Sequence, residues 1–326
     1  MSHESSALSQ RLQSEDVATR QVALTELADV LDESALEPLL LAARDRDATV
    51  RELAIGLLEE LGDPRGLPAL VAALADEASR VRQVAAAAIR DDRSPQAVAL
   101  LLDNLAHPRA DVRAASIAGL RERRDPRAEA PLLALLTDEA GAVRGQAVIA
   151  LGRLRSAASI DALRARLRDL DPQVRRLAIG ALDYARTHEV RAALAELLGD
   201  PDWRVRADAA QQLGKHGHAG PEDALVALLA DPEWTVRKEA ALALAEIGAS
   251  ASARSLLRTL TDEVADVRRA GVTAIAKLGA VFAAPSVEAL LADRDSEVSK
   301  AARRALTSLS RRAASDVVSS QRSGMP

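Results

Sequence analysis

A Val-Arg pair recurs every 31 residues along this chain, at Val50-Arg51, Val81-Arg82, Val112-Arg113, Val143-Arg144, Val174-Arg175, Val205-Arg206, Val236-Arg237 and Val267-Arg268. The phase extends back to Thr19-Arg20 and forward to Val298-Ser299, giving about ten units. Strict self-similarity at this period leaves no room for a separate catalytic domain. It places function on the surface of a repeat array.

One unit, from Pro64 to Asp92, shows how each repeat should fold. Pro64 follows Gly62 and opens a helix, since a proline in the first turn loses no needed hydrogen bond. Leu67, Leu70, Val71 and Leu74 follow at helical spacing, and the polar run from Asp76 to Arg80 ends that helix. A second helix starts at Val81, with Ala85, Ala88 and Ile89 on the same face. Leu, Ala, Arg and Glu dominate, and the aromatics are only Phe282, Tyr184, Trp203 and Trp234, a composition that favours helix throughout. Neither helix buries its stripe alone, so neighbouring pairs must stack.

Five residues before each valine stands an aspartate: Asp45, Asp76, Asp138, Asp169, Asp200, Asp231, Asp262 or Asp293. It is placed to accept backbone N–H bonds in the turn. It is also placed to pair with an arginine that follows a valine, in its own unit or in the next, and stacking would make such pairs a ladder. A row of acid–base catalysts does not fit, because catalytic groups occur once per site and not once per repeat. Thr19, Ser14 and Ser299 break the pattern at the ends, as capping repeats do. His107 takes one aspartate position and Arg93 a position held elsewhere by Gly62, Gly217, Gly248 and Gly279. Both fall near the third and fourth units, where a softer joint is expected. The periodic part covers residues 1–309, and residues 310–326, rich in Ser and Arg, are expected to form a disordered tail.

A net charge of -5 argues against general nucleic-acid binding. Without cysteine there is no disulfide, thiolate metal site or cysteine nucleophile. No apolar run approaches the ~18 residues of a membrane span, and the stretch from Met1 to Gln10 lacks an apolar signal core. A cytoplasmic location is the simplest expectation.

The pattern Asp-x4-Val-Arg-x2-Ala-x2-Ala-Leu-x3-Gly, clearest from Asp200 to Gly214 and from Asp231 to Gly248, resembles the HEAT repeat. The short period is most similar to the HEAT-like repeats of the phycobilisome-lyase class, over Leu8 to Leu309. The resemblance implies an all-α, right-handed α-solenoid of about ten helix pairs. It leaves function open, because members include bilin lyase subunits, scaffolds, assembly factors and sensors. It also speaks against two chemistries. The deoxyhypusine hydroxylases, HEAT-repeat enzymes, carry His-Glu pairs just after the Val-Arg position, where this chain has Glu52-Leu53, Lys238-Glu239 or Arg269-Ala270. HEAT-like DNA glycosylases have a basic, aromatic-bearing concave face. No glycine-rich phosphate loop, HExxH or GxSxG is present.

In such arrays the Val-Arg helix lines the concave side. Positions 2, 6, 9 and 10 after the valine should then face outward. In the first part these include Asp29, Glu52, Glu59, Glu60, Asp91 and Glu122 against Arg90 and Arg121. In the second they include Arg153, Arg176, Lys215, Lys238, Arg269 and Lys277 against Asp183 and Glu246, with Lys300 and Arg304 extending the basic end. The remaining positions are mostly small, with Ile149 and Leu242 as apolar exceptions. The expected surface is a smooth trough, acidic at one end and basic at the other, that cradles a helix or extended segment of another protein. The bland alternative is a solvated face with scattered charge.

Trp203 and Trp234 hold the same place in adjacent units. In the family such tryptophans cover helix ends, and the functional alternative is a binding hot spot. His188, His216 and His218, with Tyr184, Asp183 and Glu189 close in sequence, are the only residues that suggest a metal or cofactor pocket, although loop histidines are usually solvated. The expectation is therefore a non-catalytic scaffold, adaptor or assembly factor, without cofactor or metal. Its partner is a protein, not nucleic acid or membrane. The runner-up is a lyase-like or maturation subunit that holds a client during cofactor insertion, favoured by a pocket joining Tyr184, His188 and His216. A metal-dependent enzyme comes third.

Overall fold

The computed structural model describes residues 8, 10–92, 94–217 and 221–323, with backbone only for Asp91 and for 315–323. Arg93 and His218 lie outside the described residues. The chain forms two compact units, Met1–Ser159 and Ile160–Pro326.

In the first unit the helices are α1 (Val17–Asp29), α2 (Leu36–Ala42), α3 (Ala48–Leu61), α4 (Leu67–Ala72), α5 (Ser79–Asp91), α6 (Pro95–Asp103), α7 (Ala110–Arg121), α8 (Glu129–Leu135) and α9 (Gly141–Leu154). Short first helices alternate with longer second helices that begin just before each Val-Arg. Pro64 opens a 3-10 turn, Pro64–Gly66, ahead of α4, and the Asp63 carboxylate accepts the Arg65 N–H there. Asp47 caps α3 by accepting the N–H groups of Thr49 and Val50. Gly62 ends α3 at φ 63, a conformation that glycine adopts without steric cost. Val50, Val81, Val112 and Val143 are fully buried, as are Ala54, Ala85 and Ala147 one turn on. Second helices of successive repeats pack side by side, α1 on α3, α3 on α5 and α7 on α9.

The second unit comprises α10 (Ile160–Ala165), α11 (Pro172–Ala181), α12 (His188–Glu196), α13 (Trp203–His216), α14 (Glu222–Leu228), α15 (Trp234–Glu246), a long 3-10 segment (Ser250–Thr261), α16 (Ala265–Leu278), α17 (Ala284–Glu288) and α18 (Ser296–Ser323). Helix α18 does not stop at Leu309, where the periodicity ends. No glycine or proline interrupts the chain before Gly324. The Arg312 guanidinium, 35 residues along the chain from Lys277, donates to its carbonyl at 3.3 Å. That contact holds the turn beyond Leu309 against the end of α16. The backbone continues as helix through Ser323.

The Asp–Arg pairs choose the neighbouring repeat. In the first unit Arg20 pairs with Asp45, Arg51 with Asp76 and Arg113 with Asp138. In the second the pairs are Arg175–Asp200, Arg206–Asp231, Arg237–Asp262 and Arg268–Asp293. Most are two-pronged. Arg237 Nε lies 2.7 Å from Asp262 Oδ2, and Nη2 lies 2.9 Å from Oδ1. The same guanidinium donates through Nη1 to the carbonyls of Asp231 and Pro232 at 2.9 and 3.0 Å, closing its own turn. Each aspartate also accepts a backbone N–H two residues on, as Asp262 does from Val264 at 2.9 Å. One side chain pair therefore ties two turns and two repeats together.

The ladder lacks a rung at His107. Its Nδ1 accepts the Arg109 N–H at 3.1 Å, so the turn is kept. The ring offers no two-pronged acceptor, and Arg82 instead stands 3.6 Å from Asp111. The Arg82 side chain is 30% exposed where that of Arg51 is 8%. Helices α5 and α7 also share the thinnest contact of the neighbouring second helices within either unit. His107→Asp should supply the missing carboxylate and raise stability by about 1 kcal/mol, the net worth of a charged hydrogen-bonded pair at a partly exposed site. Urea midpoints of the two proteins check this; an unchanged or lower midpoint for the variant refutes it.

Candidate protein-binding surface

The second helices carry the residues expected along the inner face. Asp29, Glu59, Glu60, Glu122, Arg153, Lys215, Arg269 and Lys277 are exposed, and Glu52, Arg176, Lys238, Ile149, Leu242 and Tyr184 are half-buried. The Asp91 side chain lies outside the described residues. Some of the small positions are not groove floor. Gly214 and Ala245 are buried between second helices. A Cβ on Gly214 would come within 3.0 Å of Ala243 Cα, so glycine there lets α13 and α15 approach closely.

Many of these charges neutralise one another across repeats. Arg153 reaches Glu122 at 3.0 Å, Arg176 reaches Asp208 at 2.7 Å, and Arg80 reaches Glu52 at 3.1 Å. Lys277 likewise reaches Glu246, whereas Lys238 pairs with Glu239 and Arg269 with Asp266 within their own helices. Reading charge by helical position counts residues but misses the cross-repeat pairs, because the partner sits one repeat away. Asp29, Glu59, Glu60 and Arg90 in the first unit, and Lys215 in the second, form no ion pair among the described residues. Paired charges largely cancel, so the unpaired groups contribute most of the local net field.

Trp203 and Trp234 are the first residues of α13 and α15. The Arg204 guanidinium stands 4.8 Å from the Trp203 ring centre, and the Lys238 ammonium 5.8 Å from that of Trp234. Trp203 is half-buried and Trp234 is 39% exposed, so both cover helix starts and leave one edge to solvent. In the turn one repeat earlier, Leu170 is 95% exposed. The sequence pattern passed over it, because a lone leucine between two aspartates has no periodic signature.

His188 and His216 do not share a site. His188 is exposed at the start of α12, beside a cleft lined by Asp161, Arg164, Arg168, Glu189 and Glu196. Neither Tyr184 nor His216 lines that cleft. His216 is buried, with Nε2 3.1 Å from Gln212 Nε2, and Gln212 donates to Asp183 Oδ1 at 2.8 Å. Burial, followed by the positive charge of Arg186, pushes the imidazole pKa down, and Asp183 only partly opposes this. Among the described residues, no group of three or more His, Asp or Glu is arranged to hold a metal ion. No helix among them is long and apolar enough to cross a membrane.

Each unit thus offers stacked helix pairs, and among the described residues no metal-holding group. A model of HEAT repeats matches residues 5–90, 98–172, 160–229 and 222–307. The chain belongs to the HEAT-repeat family. No curated protein matches it. Among solved structures, an engineered protein is 22% identical, with 95% of this chain and 99% of that one aligned at a TM-score of 0.53. Importin beta is 15% identical over 94% of this chain and 49% of its own, at a TM-score of 0.62. YibA of Escherichia coli is 18% identical over 91% and 99%, at 0.53. These likenesses show the fold alone, an α-solenoid. HEAT-repeat solenoids are commonly protein-interaction scaffolds.

Proposed function

We propose that this HEAT-repeat protein is a non-catalytic scaffold, adaptor or assembly factor that binds another protein along its second helices. The observation that carries the reading is the pairing pattern of the inner-face charges. Several are neutralised by a neighbouring repeat or within their own helix, whereas Asp29, Arg90 and the adjacent Glu59 and Glu60 stand exposed and unpaired in the first unit, an excess of acid, and Lys215 does so in the second. Two acids in succession at the end of α3 attract a basic stretch of a partner, and Lys215 an acidic one. Long repeat surfaces bind helices or extended segments through many modest contacts.

Affinity capture from native lysate, with wild type and a Glu59→Lys, Glu60→Lys variant side by side, tests this. A client captured by wild type should associate about tenfold more slowly with the variant at low salt, and the difference should shrink as salt rises. Circular dichroism should be unchanged, because neither glutamate holds a structural contact. Equal association of the client with both proteins at low salt removes the acidic contact. A captured client bearing a bound cofactor would instead favour a maturation subunit.

A further inference from the structure

At the far end of the second unit, α16 and α18 border a shallow, open cleft of about 470 Å³ lined by Ala276, Lys277, Arg304, Thr307, Ser308, Arg311 and Arg312. Four cations and two hydroxyl residues share one small space, in a chain whose net charge is -5. Arg304, Ser308 and Arg311 recur at helical spacing on α18, which puts them on one face. Like charges brought this close repel, and the described contacts only partly offset that. Lys277 has Glu246. Arg304 and Arg312 form no ion pair among the described residues.

Arg312 is held in place before any ligand arrives. Its Nη1 donates to the Lys277 carbonyl at 3.3 Å. Its side chain lies over Gly279, the left-handed end of α16 at φ 67, where a Cβ would come within 2.1 Å of Nη1. A bulkier residue at 279 would push the guanidinium away. The Thr307 hydroxyl is already committed to the Arg303 carbonyl at 3.0 Å, which leaves Ser308 as the hydroxyl donor. Guanidinium forks arrayed along a helix suit a tetrahedral dianion with several acceptor oxygens better than a single carboxylate.

We propose that this cleft binds a phosphoryl group carried by a side chain of the partner protein, with Arg304, Arg311 and Arg312 as its donors and Lys277 as a further cation. Arginine clusters recognise phosphorylated segments in this way. The source of the phosphate rests on the protein-binding reading above; the chemistry of the cleft does not.

The test uses the full chain and three fluorescent peptides, Gly-Ala-X-Ala-Gly, in which X is phosphoserine, serine or glutamate, at low salt. The phosphoserine peptide should bind at least about tenfold more tightly than the glutamate peptide. Inorganic phosphate should compete, and Arg304→Gln with Arg311→Gln should weaken binding about tenfold or more at unchanged helicity. Should that pair fail to fold, Arg304→Gln alone serves, since Arg304 makes no ion pair. Equal affinity for the glutamate and phosphoserine peptides overturns the proposal, as does binding that survives the substitutions. Retention on phosphoinositide vesicles without peptide binding overturns it too, because the phosphate would then belong to a membrane. Failure here with client capture still sensitive to Glu59→Lys, Glu60→Lys leaves the scaffold reading standing; the converse outcome leaves the cleft standing.

Discussion

Asp262→Ala should destabilise the second unit by about 3 kcal/mol. The Asp262 side chain is 10% exposed and its partner Arg237 12%, so truncation leaves a mostly buried guanidinium without its counter-charge. Removing one partner of a buried ion pair costs roughly 3–5 kcal/mol, and the residual exposure places this pair at the lower end. The turn suffers as well, because the Val264 N–H loses its acceptor. Asp262→Asn separates the two effects: it keeps an oxygen for Val264 but removes the charge, so its loss should be about half. Chemical denaturation, together with hydrogen exchange in α15 and α16, reads the outcome. A midpoint unmoved by Asp262→Ala would show that the repeats cohere without the ladder.

The same rungs fix the acid limit of the fold. Burial alone would raise the Asp262 carboxyl, but hydrogen bonds from Arg237 and the Val264 N–H, with the charges of Arg237 and Arg268, hold it below the usual aspartate range. Asp76 and Asp138 behave alike, burial being outweighed by Arg51 and Arg113. At Asp293 the Arg268 hydrogen bond dominates. A depressed folded pKa means that the unfolded chain binds the proton more readily. The stabilisation is complete above the unfolded value, about 3.9, and is lost as pH falls through the lower folded value. Several rungs titrate in this window, so stability should fall steeply below about pH 4, and less steeply in Asp262→Asn.

Nearly all of the solenoid was legible from residues repeating in phase. Burial of Val50, Val81 and Val112 and the turn role of Asp262 follow from spacing alone, because each recurs in an equivalent environment. Whether an arginine pairs within its repeat or across to the next depends on the offset between stacked turns, which no single repeat encodes. The structure resolves it as Arg237 to Asp262, 25 residues on. The outward positions of the second helices were legible from spacing, but their net charge was not, since Arg153 and Glu122 cancel across one repeat. The cleft of Arg304, Arg311 and Arg312 was half-seen. Arg304 stood out as basic, but Arg311 and Arg312 fall after the last periodic leucine and looked like tail. Their spacing of seven residues from Arg304 to Arg311 was the available signal.

Averaging over repeats misleads at Gly271. Four residues after most of the valines the chain places Ala54, Ala85, Ala147, Ala178, Ala209 and Ala240, but Ser116 after Val112 and Gly271 after Val267. Restoring the common residue adds helix propensity worth roughly 1 kcal/mol, so the repeat pattern predicts that Gly271→Ala stabilises. The local packing predicts the reverse. A Cβ on Gly271 would lie 1.9 Å from Thr259 Oγ1 and 2.9 Å from Thr259 Cβ. Thr259 is 1% exposed, and its hydroxyl donates to the Leu256 carbonyl at 2.6 Å. Rotating the side chain away would break that bond and still leave the Cβ contact too short, so the 3-10 segment itself must move. Overpacking of this kind costs about 1–3 kcal/mol, enough to cancel or exceed the gain in propensity. We expect a net loss of about 1–2 kcal/mol in Gly271→Ala. Much of it should return in Gly271→Ala with Thr259→Ala, where the nearest clashing atom is gone, and a double-mutant cycle by urea denaturation gives the coupling directly. If Gly271→Ala alone proves more stable than wild type, the Ser250–Thr261 segment yields easily, and the close fit of Thr259 against Gly271 is not what orders it.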